Sequence, residues 1–201
     1  MNLDAIREKI AYQPVLLGIA ALLASAALAV VSGATAPAIA AAEAKDLRDS
    51  LSEVLPAGLA DNDFLKDTVN IDAEGKTFTI YRARQQGVVK AALFKTSGRG
   101  YAGEIQLLMA IDTDGRLLGV RVLKHSETPG LGDKIDARKD DWIKGFGGRS
   151  LSDPAPEQWA VKKDGGVFDQ FAGATITPRA VVTAVKGGMQ FFAAHKTEIT
   201  G

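Results

Sequence analysis

Thr175 is the residue in this chain best placed for covalent chemistry. It stands in the run Asp169-Gln-Phe-Ala-Gly-Ala-Thr175-Ile-Thr177-Pro178, where small residues lead to a hydroxyl just ahead of a helix signal. Gly173 and Ala174 leave room for another molecule to approach the backbone. Thr177-Pro178 reads as an N-cap followed by proline at the first helical position. Such a helix would turn unpaired N–H groups and the positive end of its dipole toward the loop, which suits a phosphate. A plain helix-entry loop accounts for the same residues, and on this run alone both readings stand.

Other spacings lead less far. Gly98-Arg-Gly-Tyr-Ala-Gly103 spells GxGxxG, but it runs into the strand-like Ile105–Ile111 with no acidic ribose partner downstream, so it reads as a hairpin connection. Asp112-Thr-Asp-Gly115 opens like a calcium loop, yet Leu117, Leu118 and Val120 stand where ligands should follow, leaving a turn. His125, Glu127 and Asp133 could be drawn together as a metal or acid–base site. One imidazole and two scattered carboxylates read more simply as a surface histidine with its neighbours. Ser126 beside His125 lacks the context of a nucleophile elbow, so hydrolase chemistry has no support.

Composition narrows the classes. The 201 residues carry 24 Lys+Arg against 24 Asp+Glu, a neutral balance that gives no reason to expect nucleic acid as a partner. There is no cysteine, which excludes a disulfide framework, a thiolate-held iron–sulfur cluster, c-type haem attachment and a Cys nucleophile. A chain of this kind that moves electrons has to do so on an organic cofactor.

The elements that must position Thr175 follow from patterning. From Ile10 to Ala42 no residue is charged, and Val15–Val31 carries Ser25 as its single polar side chain. That is long enough for one membrane span, given about 20 residues per crossing. Ala36-Pro37-Ala38 and Ala40-Ala41-Ala42 would also suit signal cleavage, but the leader is long for that role and its charges cancel. Arg7 and Lys9 on one flank balance Lys45 and Arg48 on the other, so only the N-terminal amine tips the orientation toward N-inside. Ala38–Leu55 reads as a helix with Leu47, Leu51 and Val54 on one face, ended by Pro56. Four strands follow as a meander: Lys76–Ala83, Val88–Lys95, Glu104–Ile111 and Leu117–Leu123. A Gly-rich stretch leads to a final helix whose stripe Val181, Val185, Met189 and Phe192 packs on the sheet. The fold class is α+β: one N-terminal transmembrane helix, then a small extracytoplasmic domain with an antiparallel sheet and packed helices.

Two motifs carry a resemblance. The Asp169–Thr175 run resembles the flavinylation site of the FMN-binding domain family, in which an Asp precedes by six residues a Thr within Ser/Thr-Gly-Ala-Thr. His125-Ser-Glu-Thr-Pro-Gly-Leu-Gly132 resembles a segment of that family's membrane proteins, found at position C of the sodium-pumping NADH:quinone reductase and position G of the Rnf complex. The order of the span, Gly100-Tyr-Ala-Gly103, the Asp-Gly turn and the threonine motif also fits, over nearly the whole chain. Its length and the Lys134–Trp142 continuation are closer to position G. The chain departs in having Ala172 where Ser or Thr is usual and Gln170 where Gly is common. Ser32-Gly-Ala-Thr35 repeats the tripeptide without the upstream Asp, and is a chance match.

The resemblance implies FMN bound through a phosphoester to Thr175, with Asp169, Gly173 and Ala174 in the motif, and a separate flavin transferase that uses FAD. Glu127, Thr128, Gly130 and Leu131 are expected to line the flavin, and Trp142 either shields it or packs in the core. The implied organisation is a cytoplasmic N-terminus (1–9), a transmembrane helix (10–35), a membrane-proximal helix and linker (36–60) and an FMN-binding domain (61–201). The implied function is electron relay, without a complete active site of its own, in a membrane complex coupling ferredoxin/NAD-type electron transfer to ion translocation. The partners are the other subunits and the lipid bilayer. The place is the bacterial inner membrane, single-pass, with the C-terminal domain periplasmic. A sodium-pump subunit, an FMN-binding sensor, or a non-redox assembly or regulatory subunit without flavin are the alternatives.

Overall fold

The computed structural model describes residues 12–73 and 75–201. The expected cytoplasmic segment 1–9 and the expected start of the span at Ile10 lie outside the described residues. Alanine and leucine, strong helix formers, dominate the first element, α1 (Tyr12–Val54). The expected span and the expected helix from Ala38 are one continuous helix, which carries Pro37 within it. Leu17, Leu22 and Leu28 are exposed along α1, and by length and composition the helix can cross a membrane.

The compact unit beginning at Arg48 is built on a five-stranded antiparallel meander. Its strands are β1 (Thr68–Ala73), β2 (Lys76–Gln85), β3 (Val88–Arg99), β4 (Glu104–Asp112) and β5 (Leu117–Lys124). The four expected strands are all present, each extended at its C-terminal end, and β1 is a fifth. Val69 and Ile71 are the only large apolar residues of β1, too few for the alternation to stand out. Pairing with β2, from Thr68 opposite Tyr81 to Ala73 opposite Lys76, makes it a strand. Gly98–Gly103 is the connection region between β3 and β4, as its glycines suggested, with Gly98 and Arg99 closing β3.

The two faces of the sheet are buried by different helices, which is why Ala91–Phe94 of β3 and Leu107–Ile111 of β4 are unbroken apolar, buried runs. On one face Phe94, Leu107, Met109 and Ile111 pack with Val181, Val185, Met189 and Phe192 of α2 (Ile176–Thr200). Those four helix residues are all 2% exposed or less, and burying each stabilises by about 1.5–3 kcal/mol. A Cβ at Gly188 would collide with Met109, so α2 approaches β4 closely there. The other face, with Leu93, Leu108 and Ala110, also carries Gly119 and Arg121 of β5. Gly119 backs onto Val54, and Arg121 pairs with Glu53, so the end of α1 lies on this side with Leu51 and Val54 buried.

Between β5 and α2 the chain makes only short 3₁₀ turns, at Gly132–Ile135, Asp141–Phe146, Pro156–Gln158 and Lys162–Asp164. Aromatic packing holds this segment. Phe146 stacks on Phe168 with centroids 4.6 Å apart, Trp142 meets Phe146 and Phe171 edge-on, and the Arg149 guanidinium lies 4.9 Å from the Phe168 ring centre.

The expected helix start needs correction. α2 begins at Ile176, Thr175 occupies the cap position, and Pro178 is the third helical residue. Thr177 is 1% exposed, and its hydroxyl is bonded to Glu127 across the fold instead of capping the helix. A long-range partner has displaced the local signal.

Candidate functional site

Three loops converge at the start of α2. The first is the turn at Gly100–Gly103, closed by a bond from the Gly100 N–H to the Gly103 carbonyl at 2.8 Å. The second is His125–Gly132. Its Thr128 carbonyl accepts from the N–H groups of Leu131 and Gly132 at 3.1 Å each, and Gly130 at φ +77° provides the left-handed step this needs. The third is Asp169–Thr175, pinched by a bond from the Ala174 N–H to the Phe171 carbonyl at 3.1 Å.

Contacts tie them together. Leu131 of the second loop lies against Gly173 of the third: a Cβ at Gly173, which sits at φ +80°, would be 3.4 Å from Leu131 Cδ2. Glu127 accepts the Thr177 hydroxyl and, at 3.0 Å, the Ala102 N–H. The Glu127 N–H in turn donates to His125 Nδ1 at 3.1 Å. Asp169 is carried on the surface, its carboxylate 2.5 Å from Lys162 Nζ and its carbonyl accepting from Trp142 Nε1 at 2.8 Å. Trp142 thereby braces the threonine loop through both its indole N–H and its contact with Phe171.

The expected residues thus fall into distinct settings. Thr175 is half-buried, and its side chain makes no capping hydrogen bond. Gly173, Thr128, Gly130 and Leu131 are exposed, with Ala174 half-buried. Glu127 stands apart, 5% exposed with both carboxyl oxygens engaged. Thr35 hydrogen-bonds backbone carbonyls of its own helix, at Val31 (2.9 Å) and Ser32 (3.3 Å). Among the described residues no cluster of three or more His, Cys, Asp or Glu side chains could hold a metal ion.

The site suits a phosphate joined to a flat apolar ring. The first-turn N–H groups of Ile176 and Thr177 have no acceptor within the helix, and Pro178 has none to offer, so an anion at the mouth of α2 would meet free donors. Leu131 (42% exposed) and Tyr101 (74%) on these loops, and Ile176 (47%) at the start of α2, are large apolar side chains left open. The buried Asp133 Oδ1, next to Gly132, has no hydrogen-bond partner among the described residues, leaving an acceptor uncommitted.

The FMN-binding domain family matches residues 100–190, which take in all three loops. The G subunit of the ion-translocating oxidoreductase complex of Cereibacter sphaeroides is 52% identical over 185 residues, covering 92% of this chain and 84% of its own. Its counterpart in Pseudomonas aeruginosa is 44% identical over 204 residues, covering 97% and 94%. The chain belongs to the family of G subunits of ion-translocating oxidoreductase complexes. A crystal structure of the C subunit of Na(+)-translocating NADH-quinone reductase from Parabacteroides distasonis is also similar, at 20% identity over 68% of each chain with a TM-score of 0.48.

Within this member of the G-subunit family, Thr177 was legible only as a cap, and the Glu127–Thr177 bond had no local signal because fifty residues separate the partners. Lys162 was not singled out at all. It reaches Asp169 because the 3₁₀ turn Lys162–Asp164 folds back beside Phe168. Nearby, Arg138 hydrogen-bonds the buried Asp136 carboxyl and holds it down at about 2, against an ordinary 3.8.

Proposed function

We propose that the chain is the electron-relay subunit of an ion-translocating oxidoreductase complex and that it carries FMN as a phosphoester on Thr175. One observation carries the attachment point: a half-buried threonine, its hydroxyl making no capping hydrogen bond, at the mouth of α2 beside Gly173 and Leu131. In the attachment step a flavin transferase presents FAD. The Thr175 hydroxyl forms a bond to the FMN-side phosphorus, the phosphoanhydride breaks, AMP leaves with the bond's electron pair, and the hydroxyl proton passes to a base of the transferase. Bound FMN supplies a ring that takes electrons in pairs and passes them on singly, which suits a relay between unlike carriers.

The chain's own residues do the holding. Gly173 and Ala174 keep the phosphate's approach open, and the Ile176 and Thr177 N–H groups offset its charge. Thr128, Gly130 and Leu131 line the outer side. Asp169, paired with Lys162 and exposed, is on the surface a transferase would read. Covalent attachment fits a domain outside the cytoplasm, where lost FMN is not readily replaced. The place is the bacterial inner membrane, crossed once by α1, with the folded unit on the periplasmic side and the complex's other subunits as partners.

Mass spectrometry of the intact chain and its peptides, purified from the native membrane, tests the attachment. A gain of FMN less water on the peptide holding Thr175 is the expected result; an unmodified Thr175 in a host that flavinylates its other targets would sink it. The absence of native cysteine makes orientation equally direct. A Ser152→Cys variant should react with a membrane-impermeant maleimide in intact spheroplasts, and labelling only after lysis would reverse the topology.

A further inference from the structure

We infer that Glu127 is a positioning residue that sets the direction of the Thr175 hydroxyl through Thr177; this rests on the flavin attachment proposed above. Glu127 is 5% exposed and Thr177 1% exposed, and each is the other's hydrogen-bond partner. A buried polar group is costly unless its bonds are made, and no cation pairs with Glu127 among the described residues. Its oxygens are instead divided between two segments: Oε2 accepts from Thr177 at the start of α2, and Oε1 from Ala102 in the first loop.

The walls of this socket are glycine. A Cβ at Gly100 would land on the Glu127 carboxyl group. A Cβ at Gly132 would come within 2.8 Å of Thr177 Oγ1 and 2.9 Å of Glu127 Oε2. The carboxyl group therefore gathers the turn before β4, the loop after β5 and the mouth of α2 at one buried point.

Helix geometry turns that point into a constraint on Thr175. Residues two apart on an α-helix lie about 200° apart around its axis. With Thr177 held inward, the residue two positions earlier is directed outward, which is where the half-exposed Thr175 is found. Releasing Thr177 lets the first turn rotate and fray, because the backbone bond that ties this end, from the Arg179 N–H to the Thr175 carbonyl, is long at 3.4 Å. The hydroxyl is then no longer presented at a fixed angle to the incoming FAD, and a misplacement of about 1 Å can cost 100-fold in rate.

The test follows FMN incorporation with time into the full-length chain, co-expressed with a flavin transferase, by intact mass, alongside the thermal stability of each flavin-free variant. T177V, which keeps the shape and removes the hydroxyl, should slow incorporation about 10- to 100-fold. T177S, which restores the hydroxyl, should stay within about twofold. E127A should match T177V, and the double variant should be no slower than either single one, as for two residues acting as one unit. Val185→Ala, in the buried stripe of α2, supplies a destabilised control and should incorporate FMN normally. If E127A does not fold, the contrast of T177V with T177S decides alone. Incorporation in T177V equal to that of Val185→Ala at matched stability would overturn the positioning role. FMN missing from wild-type Thr175 would overturn the attachment reading with it.

Discussion

The sheet with α2 and the segment from Gly132 to Thr175 are built on different principles. In the first, every strand is paired along its length and α2 lays a regular stripe onto one face. In the second, no helix is longer than six residues and the chain is held by ring packing and side chains bonded to carbonyls. The loop that holds Thr175 is carried by the second. Periodic structure makes a rigid floor, but a site needs backbone N–H groups, hydroxyls and small residues left unspent, and regular elements spend them.

The difference can be broken or sharpened by experiment. Thr175→Ala should abolish covalent FMN entirely while leaving the melting temperature unchanged, since the hydroxyl makes no capping bond; intact mass and thermal unfolding check both. Phe146→Ala should cost about 3–5 kcal/mol in urea unfolding, as much as Phe94→Ala on the sheet, because both rings are fully buried. A much smaller loss at Phe146 would mean that aromatic packing does not replace regular bonding in the irregular segment. Trp142→Phe keeps the ring contacts with Phe146 and Phe171 but drops the bond to the Asp169 carbonyl, and should cost about 1 kcal/mol by the same measurement.

The smallest effect is electrostatic. The Asp136 carboxyl titrates lower in the folded state, at about 2, than its ordinary 3.8. Its stabilising contribution is therefore complete above the ordinary value and is lost as the pH falls through about 2. Asp136→Asn should lower stability modestly at neutral pH, where that contribution is complete, and the two unfolding profiles should converge as the pH falls through about 2. An unchanged profile would remove Asp136 from the forces holding the 3₁₀ turn it closes.

The same contrast explains what could be read from the residues in order. The meander and the stripe of α2 were legible, since alternation and a 3.6-residue period are local. The unrecognised strand β1 has only Val69 and Ile71 to announce it, and is a strand chiefly because β2 pairs with it. In the candidate site, Thr175, Gly173 and Leu131 stand in motifs visible in the sequence, and the fold brings Leu131 against Gly173. Thr177 looked like a cap because Thr-Pro usually signals one, and only the fold brings Glu127 within reach of its hydroxyl. Lys162 and Trp142 attach to Asp169 through turns that carry no periodic signal.

The end of α1 bears on how the protein can be handled. Leu51 and Val54 are buried in the unit that begins at Arg48, and Val54 touches Gly119 through its backbone. A detergent-free fragment for spectroscopy or crystallisation therefore has to keep Arg48–Val54 with the sheet. Cutting at Pro56, where the helix visibly stops, would open a greasy furrow across Leu93, Leu108 and Ala110 and produce material that clumps rather than a soluble domain.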